Sequence, residues 1–480
     1  MADQPFKYKP IVYIVGFTAA LAGLLFGLDI GVISGALPFI GKDFGVGTVM
    51  REDIVSALLW GATFGALVSG LFTKRWGRKN TMLIAAVIFA MGALGCAIAT
   101  SAGILIGTRF FLGIAVGMAS FTAPLYLSEI APQSIRGALI SMYQLLITIG
   151  IVLAFLSDTY FATYAHVFGH VGGHWRLMLG VLVVPATVMF IAVFFLPRSP
   201  RWLKLRGRHE EAAQVLKRVR NTEEEISKEI HDIEDSLKVR QNGFKLFTTN
   251  GNFRKAIFLG IGLQIIQQLT GINVVMYYAP KIFEIAGFGS TAEQMWGTVL
   301  VGVINVLATF IAIAFVDKIG RKPIMYSGFA VMGISMTMVG IMFKVGLDSH
   351  PAVAGVAGGQ PHHVVAFVAI AFLLLFIIGF AMSAGPIIWV LCSEIYPLGG
   401  RDLGITVSTA TNWIINGIVA ATFLTMLDRL GHGNTFLLYG LIEVVFIIYF
   451  LLFVPETKGV SLEQIEENLM AGKRLREIGR

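Results

Sequence analysis

Trp76-Gly77-Arg78-Lys79 recurs as Ile319-Gly320-Arg321-Lys322, 243 residues later in a chain of 480. Two further segments repeat in the same order. Ser128-Glu129-Ile130-Ala131-Pro132, with Arg136 behind it, returns 265 residues later as Ser393-Glu394-Ile395-Tyr396-Pro397, with Arg401 behind it. Pro197-Arg198-Ser199-Pro200-Arg201 has its counterpart in Pro455-Glu456-Thr457-Lys458-Gly459. The difference between the offsets fits extra length in the second half, mainly around residues 345–362. The chain reads as two copies of one unit, with these short polar motifs at the junctions between long apolar segments.

The apolar segments identify the solvent. The chain is 56% hydrophobic and 14% charged, whereas a soluble domain carries about 25% charge. That excludes a disordered protein, a nucleic-acid binder and an ordinary soluble enzyme. A bilayer core about 30 Å thick needs about 20 apolar residues per helix. Twelve stretches meet this: 11–33, 54–73, 80–99, 103–125, 137–157, 175–196, 254–280, 296–316, 323–344, 363–390, 403–426 and 435–454. The first lacks a small-residue cleavage pattern followed by a polar mature chain, so it reads as a retained helix. The expected fold is an all-α membrane protein of twelve transmembrane helices in two six-helix bundles. The halves are expected to be related about an axis normal to the membrane, one known basis for alternating access. The expected units are an N-terminal bundle over 1–196, a polar linker of short amphipathic helices over 197–253, a C-terminal bundle over 254–454 and a tail over 455–480. A disordered linker is the competing reading, but the apolar spacing of Val215, Leu216 and Val219, and around Ile226, Ile230 and Ile233, favours helices.

The formal charge of +8, from 37 basic and 29 acidic residues, is read as topology rather than as attraction to acidic partners. With both termini in the cytoplasm, only Lys42, Arg51, Arg176, Lys281, Lys344 and Arg429 among the basic residues fall at the outer side, and Arg109 lies within a helix. Leaving out the long linker, the count is 16 inside against 6 outside. Glu129 with Arg136, and Glu394 with Arg401, can form ion pairs on the cytoplasmic side, with partners across loops, that hold the inner face closed. Any basic loop also signals topology, but recurrence in both halves favours a gate. Gly77 and Gly320 allow tight turns there.

Asp29 in the first span and Arg109 in the fourth break the apolar pattern. Charges inside a membrane are costly and are functional candidates. A mutual pair could bind and release a proton; a static structural pair is the alternative. The seventh span carries Gln264, Gln267, Gln268, Thr270, Asn273, Tyr277 and Tyr278, interrupted by Gly271. Amides offer donors and acceptors without net charge, which suits a neutral polyhydroxylated solute; an interhelical hydrogen-bond network is the alternative. Gln144, Asn305, Trp389, Asn412 and Trp413 are further candidates, because amides can read the polar edge of a sugar ring while Trp stacks on its C–H face. Glu443 receives no role. His166, His170 and His174 share one loop and read as polar loop residues rather than a metal site. Cys96 and Cys392 read as packed small side chains, not as a disulfide. Walker, zinc-cluster and dinucleotide signatures do not occur.

Taken together, these residues resemble the sugar porter family of the major facilitator superfamily over nearly the full length. The likeness rests on Arg109 with Gly113 and Gly117, Pro124-Leu125-Tyr126-Leu127-Ser128-Glu129 leading to Arg136-Gly137, Pro197-Arg198-Ser199-Pro200-Arg201, Gln267-Gln268-Leu269-Thr270-Gly271-Ile272-Asn273 and Pro455-Glu456-Thr457-Lys458-Gly459. The resemblance implies that Asp29 is the proton-coupling carboxylate and Arg109 its partner. It implies sugar ligands at Gln144, Gln267, Gln268, Asn273, Asn305, Trp389 and Asn412, and an aromatic lining of Phe26, Tyr277, Phe380 and Trp413, with Gly385 nearby. It implies a cytoplasmic gate of Arg78, Glu129, Arg136, Asp317, Arg321, Glu394 and Arg401. Three positions depart from the family pattern: Lys74 replaces an acid, Ile313 a glycine and Arg198 a glutamate.

The expected function is proton-coupled import of a hexose, galactose or glucose, across a bacterial inner membrane, without covalent chemistry, cofactor, metal or obligatory protein partner, by a monomer. A facilitative uniporter, or arabinose or xylose as main substrate, is the nearest alternative. A sugar sensor would need longer cytoplasmic extensions, and a channel would not need the two-half repeat.

Overall fold

The computed structural model describes residues 8–132, 135–164, 173–238, 243–345 and 361–479. Twelve helices among them are long and apolar enough to cross a membrane. They are α1 (Pro10–Asp43), α2 (Thr48–Trp76), α3 (Arg78–Ala97), α4 (Ala102–Ile130), α5 (Arg136–Tyr164), α6 (His174–Phe194), α7 (Gly251–Ile285), α8 (Thr291–Ile319), α9 (Arg321–Phe343), α10 (Val364–Glu394), α11 (Leu398–Leu430) and α12 (His432–Phe453).

The repeat in the sequence is a repeat in packing. In the first half α1 packs on α5, and α4 on both α2 and α3; in the second half α7 packs on α11, and α10 on both α8 and α9. Each pair maps onto its partner by a shift of six helices. The halves meet along three seams, α1 with α7, α2 with α11 and α5 with α8. Exchanging the halves maps the first seam onto itself and swaps the other two, which is what a two-fold relation requires.

Several helices outrun the apolar stretches that predict them. α1 continues ten residues past Ile33, through Pro38 to Asp43. α2 begins at Thr48, so its first turns contain Arg51, Glu52 and Asp53. Apolar run length reports the thickness of the bilayer and not the length of the helix. Charged residues extend a helix when packing supplies them with partners.

Among the described residues four helices are interrupted: α6 between Gly180 and Val183, and α7, α10 and α11 in the second half. α7 breaks between Leu269 and Ile272, where Gly271 sits at φ +88°. That conformation suits a residue without a side chain. α10 breaks at Ser383, between segments ending at Met382 and starting at Ala384. Pro386 follows and has no N–H to offer the carbonyl four residues back, while the Ser383 hydroxyl donates to the Gly379 carbonyl at 2.6 Å. α11 is interrupted between Ala420 and Phe423.

Between α6 and α7 the chain forms helices over Pro200–Leu205, His209–Val219, Glu223–Lys238 and Gly243–Thr249. The first three belong with the first half, whereas Gly243–Thr249 packs on the second half, with Gly243 against Leu403 and Gly400. Arg220 donates to the Ile130 carbonyl at 3.0 Å and pairs with Glu229 at 2.5 Å. Trp202 donates to the Lys74 carbonyl at 3.1 Å, and Leu216 is fully buried.

Candidate functional site

Asp29 and Arg109 face each other at the centre of the first half, each 1% exposed. The guanidinium nitrogens Nη1 and Nη2 lie 3.5 and 3.4 Å from the two carboxylate oxygens. Arg109 Nε donates to the Ile54 carbonyl at 2.8 Å, so one side chain ties α4 to both α1 and α2. Two isolated charges would be far too costly here, and pairing makes their burial tolerable. α7 of the other half, which carries Tyr277, packs against α1, which carries Asp29.

The second half contributes an amide cluster. Asn412 on α11 donates through Nδ2 to Gln264 Oε1 at 2.7 Å and to Gln267 Oε1 at 2.6 Å. Gln267 Nε2 donates to the carbonyls of Ala384 and Gly385, both at 3.1 Å, beside the break in α10. One turn further along α7, Asn273 donates to Gln268 Oε1 at 2.5 Å across the Gly271 break. Asn416 donates to Tyr277 Oη at 3.2 Å. Gln264, Gln267, Gln268, Asn412 and Asn416 are all buried. A fully apolar setting would penalise so many unpaired amides, and all but Asn416, whose Oδ1 has no partner among the described residues, are satisfied within the cluster or by nearby backbone. Groups linked in this way can exchange their mutual bonds for bonds to hydroxyls without leaving a donor bare.

The aromatic candidates gather only in part. Phe26 of the first half meets Trp413 of the second edge-on, with centroids 5.1 Å apart. Phe380 lies against Gly385, where an added Cβ would come within 3.3 Å of its ring. Trp389 is 38% exposed. Gln144 on α5 is half-buried and Asn305 on α8 is buried; neither is joined to the cluster by a hydrogen bond described here. Asn416 is an addition to the candidates, and Gln264, a candidate amide of the seventh span that the resemblance did not count among the sugar ligands, belongs to the cluster. Asn416 lies four residues after Asn412, so helical spacing alone could have pointed to it.

At the end of the bundle that carries the repeated motifs, each half builds the same network. Arg78 pairs with Glu129 at 2.6 Å, and Ser199 donates to the second oxygen of Glu129 at 2.6 Å. Arg321 pairs with Glu394 at 2.9 Å, and Thr457 donates to its second oxygen at 2.5 Å. The expected pairing of Glu394 with Arg401 is not what the structure has. Arg401 turns back to its own loop and donates to the Tyr396 carbonyl at 3.4 Å. The reason is position: Glu394 ends α10 next to the start of α9, which brings Arg321 to it first. These bonds stay within a half and do not cross between halves. The side chains of Arg136 and Asp317 lie outside the described residues, as do His166 and His170. His174 Nδ1 lies 2.8 Å from the Phe161 carbonyl. Among the described residues no group of three His, Cys, Asp or Glu could hold a metal ion.

Ser199 and Thr457 were not among the expected gate residues. They occupy equivalent places in the two copies of the third repeated motif, and that equivalence was the signal for them. The departure at Arg198 has a visible consequence. In the second half Glu456 accepts the backbone N–H groups of Arg321 and Lys322 at 3.1 and 2.9 Å, capping α9. Burial alone would raise the Glu456 carboxyl. The N–H groups of Lys322, Arg321 and Lys458, together with the Arg321 charge, outweigh this and hold it below its ordinary value of 4.5. Arg198, at the matching place, lies over the Trp202 ring instead.

The chain is similar to known proteins in sequence and in fold. The model of the family described as Sugar (and other) transporter matches residues 15–469. The chain is 56% identical to the galactose-proton symporter of Escherichia coli strain K12 over 471 residues, covering 98% of this chain and 97% of that one. It is 49% identical to the arabinose-proton symporter of the same strain over 465 residues, covering 97% and 95%. Among solved structures it superposes on the inward open conformation of the E. coli xylose transporter with a TM-score of 0.80 at 31% identity, covering 95% of this chain and 99% of that one. On the proton:xylose symporter bound to 6-bromo-6-deoxy-D-glucose the TM-score is 0.78 at 30% identity, covering 97% and 98%.

Proposed function

Because the chain belongs to the Sugar (and other) transporter family, we propose that it imports a hexose, D-galactose or D-glucose, together with a proton. It is a transporter of the major facilitator fold and not an enzyme. The observation that carries the coupling is the sealed Asp29–Arg109 pair in the first half, on helices of which α1 packs against α7 of the amide cluster.

In the outward-facing carrier Asp29 takes a proton and Arg109 is held by the Ile54 carbonyl. Sugar binds between the halves to Gln267, Gln268, Asn273 and Asn412 of the second half, with Gln144 opposite and Asn305 at the α5–α8 seam. Phe26, Tyr277, Phe380, Trp389 and Trp413 supply apolar faces for the ring. The bodies that rock are residues 1–196 and 254–454, joined by the linker over 197–253. When the inner side opens, Asp29 releases its proton and returns to Arg109, and sugar leaves. The protein sits in a bacterial inner membrane with both termini in the cytoplasm, which puts the repeated motifs inside, and it works as a monomer.

The test is uptake into proteoliposomes. Labelled D-galactose should enter with alkalinisation of a weakly buffered external medium. Unlabelled galactose or glucose should compete better than arabinose or xylose. Saturable uptake without proton movement would instead identify a uniporter, and stronger competition by a pentose would reassign the substrate.

A further inference from the structure

One of the most deeply buried carboxylates lies outside the site described above. Glu52, near the start of α2, is 2% exposed. Its Oε1 accepts the backbone N–H of Thr425 at 2.7 Å and its Oε2 accepts the Thr425 hydroxyl at 2.6 Å. Thr425 lies in the first turn of the segment Phe423–Leu430 that ends α11. The N–H groups of a first turn have no partner within their helix, and a carboxylate there also faces the positive end of the helix dipole. One turn earlier on α2, the Thr48 hydroxyl donates to Asp428 Oδ2 at 2.8 Å. All these bonds join the first half to the second. They lie at the end of α2 opposite Gly77, about 40 Å away along a helix of 29 residues.

The other seam is built differently. At the repeat offset of 243, Thr48 corresponds to Thr291 and Glu52 to Met295. The nearby acid of α8, Glu293, is committed to a capping box with Ser290 in its own helix. α8 meets α5 through Gly302 set against Val152 and Phe155. Where Gly302 meets Val152 and Phe155 the contact is apolar, and it can slide without baring a polar group. The α2–α11 seam cannot part without exposing a buried carboxylate and a helix N–H that then need water.

We propose that Glu52 and Thr425, with Thr48 and Asp428, form a latch that holds the outer end of the carrier shut, and that its strength sets the fraction of carriers facing outward. This rests on the orientation given above. A cavity of about 190 Å³ beside the latch is lined by Ser34, Arg51, Tyr277 and Asp428 among others. It is the space that widens to the outside when the latch parts.

The test uses a cysteine as reporter. The two native cysteines, Cys96 and Cys392, are buried, so a Ser34→Cys carrier in intact cells can be labelled selectively with a membrane-impermeant maleimide. Adding Glu52→Ala should raise the labelling rate roughly tenfold, a shift of about 1.4 kcal/mol between states. The same rate as in Ser34→Cys alone, at equal protein in the membrane, would overturn the latch. If Glu52→Ala does not reach the membrane, Thr48→Ala, which removes only the more exposed bond, should raise the rate about twofold, and no rise would overturn the proposal. Labelling seen only in inverted vesicles would overturn the orientation instead, and the rate comparison from that side would still decide the latch.

Discussion

Arg109 holds Asp29 less tightly than it holds the backbone of α2: 3.4 and 3.5 Å to the carboxylate oxygens, against 2.8 Å from Nε to the Ile54 carbonyl. The arginine is therefore anchored to α2, and the carboxylate is the partner free to exchange its contacts. Asp29→Asn removes the proton site but keeps the shape of the pair. Accumulation of sugar against its gradient should disappear, while sugar-for-sugar exchange continues. Unchanged accumulation in the variant would remove Asp29 from the coupling step.

Asn412 bridges Gln264 and Gln267. Asn412→Ala leaves both amide oxygens without that donor and takes a donor from the sugar. The half-saturating sugar concentration should rise roughly tenfold to a hundredfold, the worth of one or two hydrogen bonds. Protons moved per sugar should stay the same, because Asp29 is untouched. Transport kinetics with a pH electrode read both quantities.

Gly271 stands at φ +88° with the Tyr439 ring 2.9 Å from the place of an added Cβ. Gly271→Ala should destabilise the protein by about 1–2 kcal/mol from the left-handed backbone alone. Thermal melting in detergent should show the loss, with sugar binding weakened as the break in α7 shifts. An unchanged melting temperature would mean that the break does not need glycine.

Glu456 caps α9 from across the chain. Glu456→Gln should cost about 0.3–1 kcal/mol at neutral pH. The carboxyl is held below 4.5 in the folded protein, so its contribution is complete above the unfolded value and is lost as pH falls through the lower folded one. The gap in melting temperature between wild type and Glu456→Gln should therefore be constant above pH 5 and close below pH 4.5. A gap that widened on acidification would contradict this sign.

Much of the fold was legible without coordinates, and so were the Asp29–Arg109 pair and most of the polar residues around it, but not the hydrogen bonds among the amides. Asp29 and Arg109 stood out as charges within apolar runs, and a pair was the cheapest way to bury them. Gln267 and Asn412 stood out as amides in membrane helices. That Gln264 shares the cluster while Gln144 and Asn305 are not hydrogen-bonded to it depends on how each helix is rotated. Glu52 was invisible for a related reason. Next to Arg51 and Asp53, it reads as part of an exposed polar helix start, and only the Thr425 backbone of the opposite half makes it a buried group.

By itself, the amino-acid order determined the twelve spans, the two equivalent halves and the six-helix shift between them. Run length against a fixed bilayer thickness and the recurrence of loop motifs are local properties of the chain. Tertiary structure decided the partners: Glu394 with Arg321 rather than Arg401, the break at Ser383, and the bond from Glu52 to Thr425. A hydrogen bond works over about 3 Å, and whether two groups on different helices come that close is settled by the rotation and depth of each helix. Those are set by the packing of all twelve together.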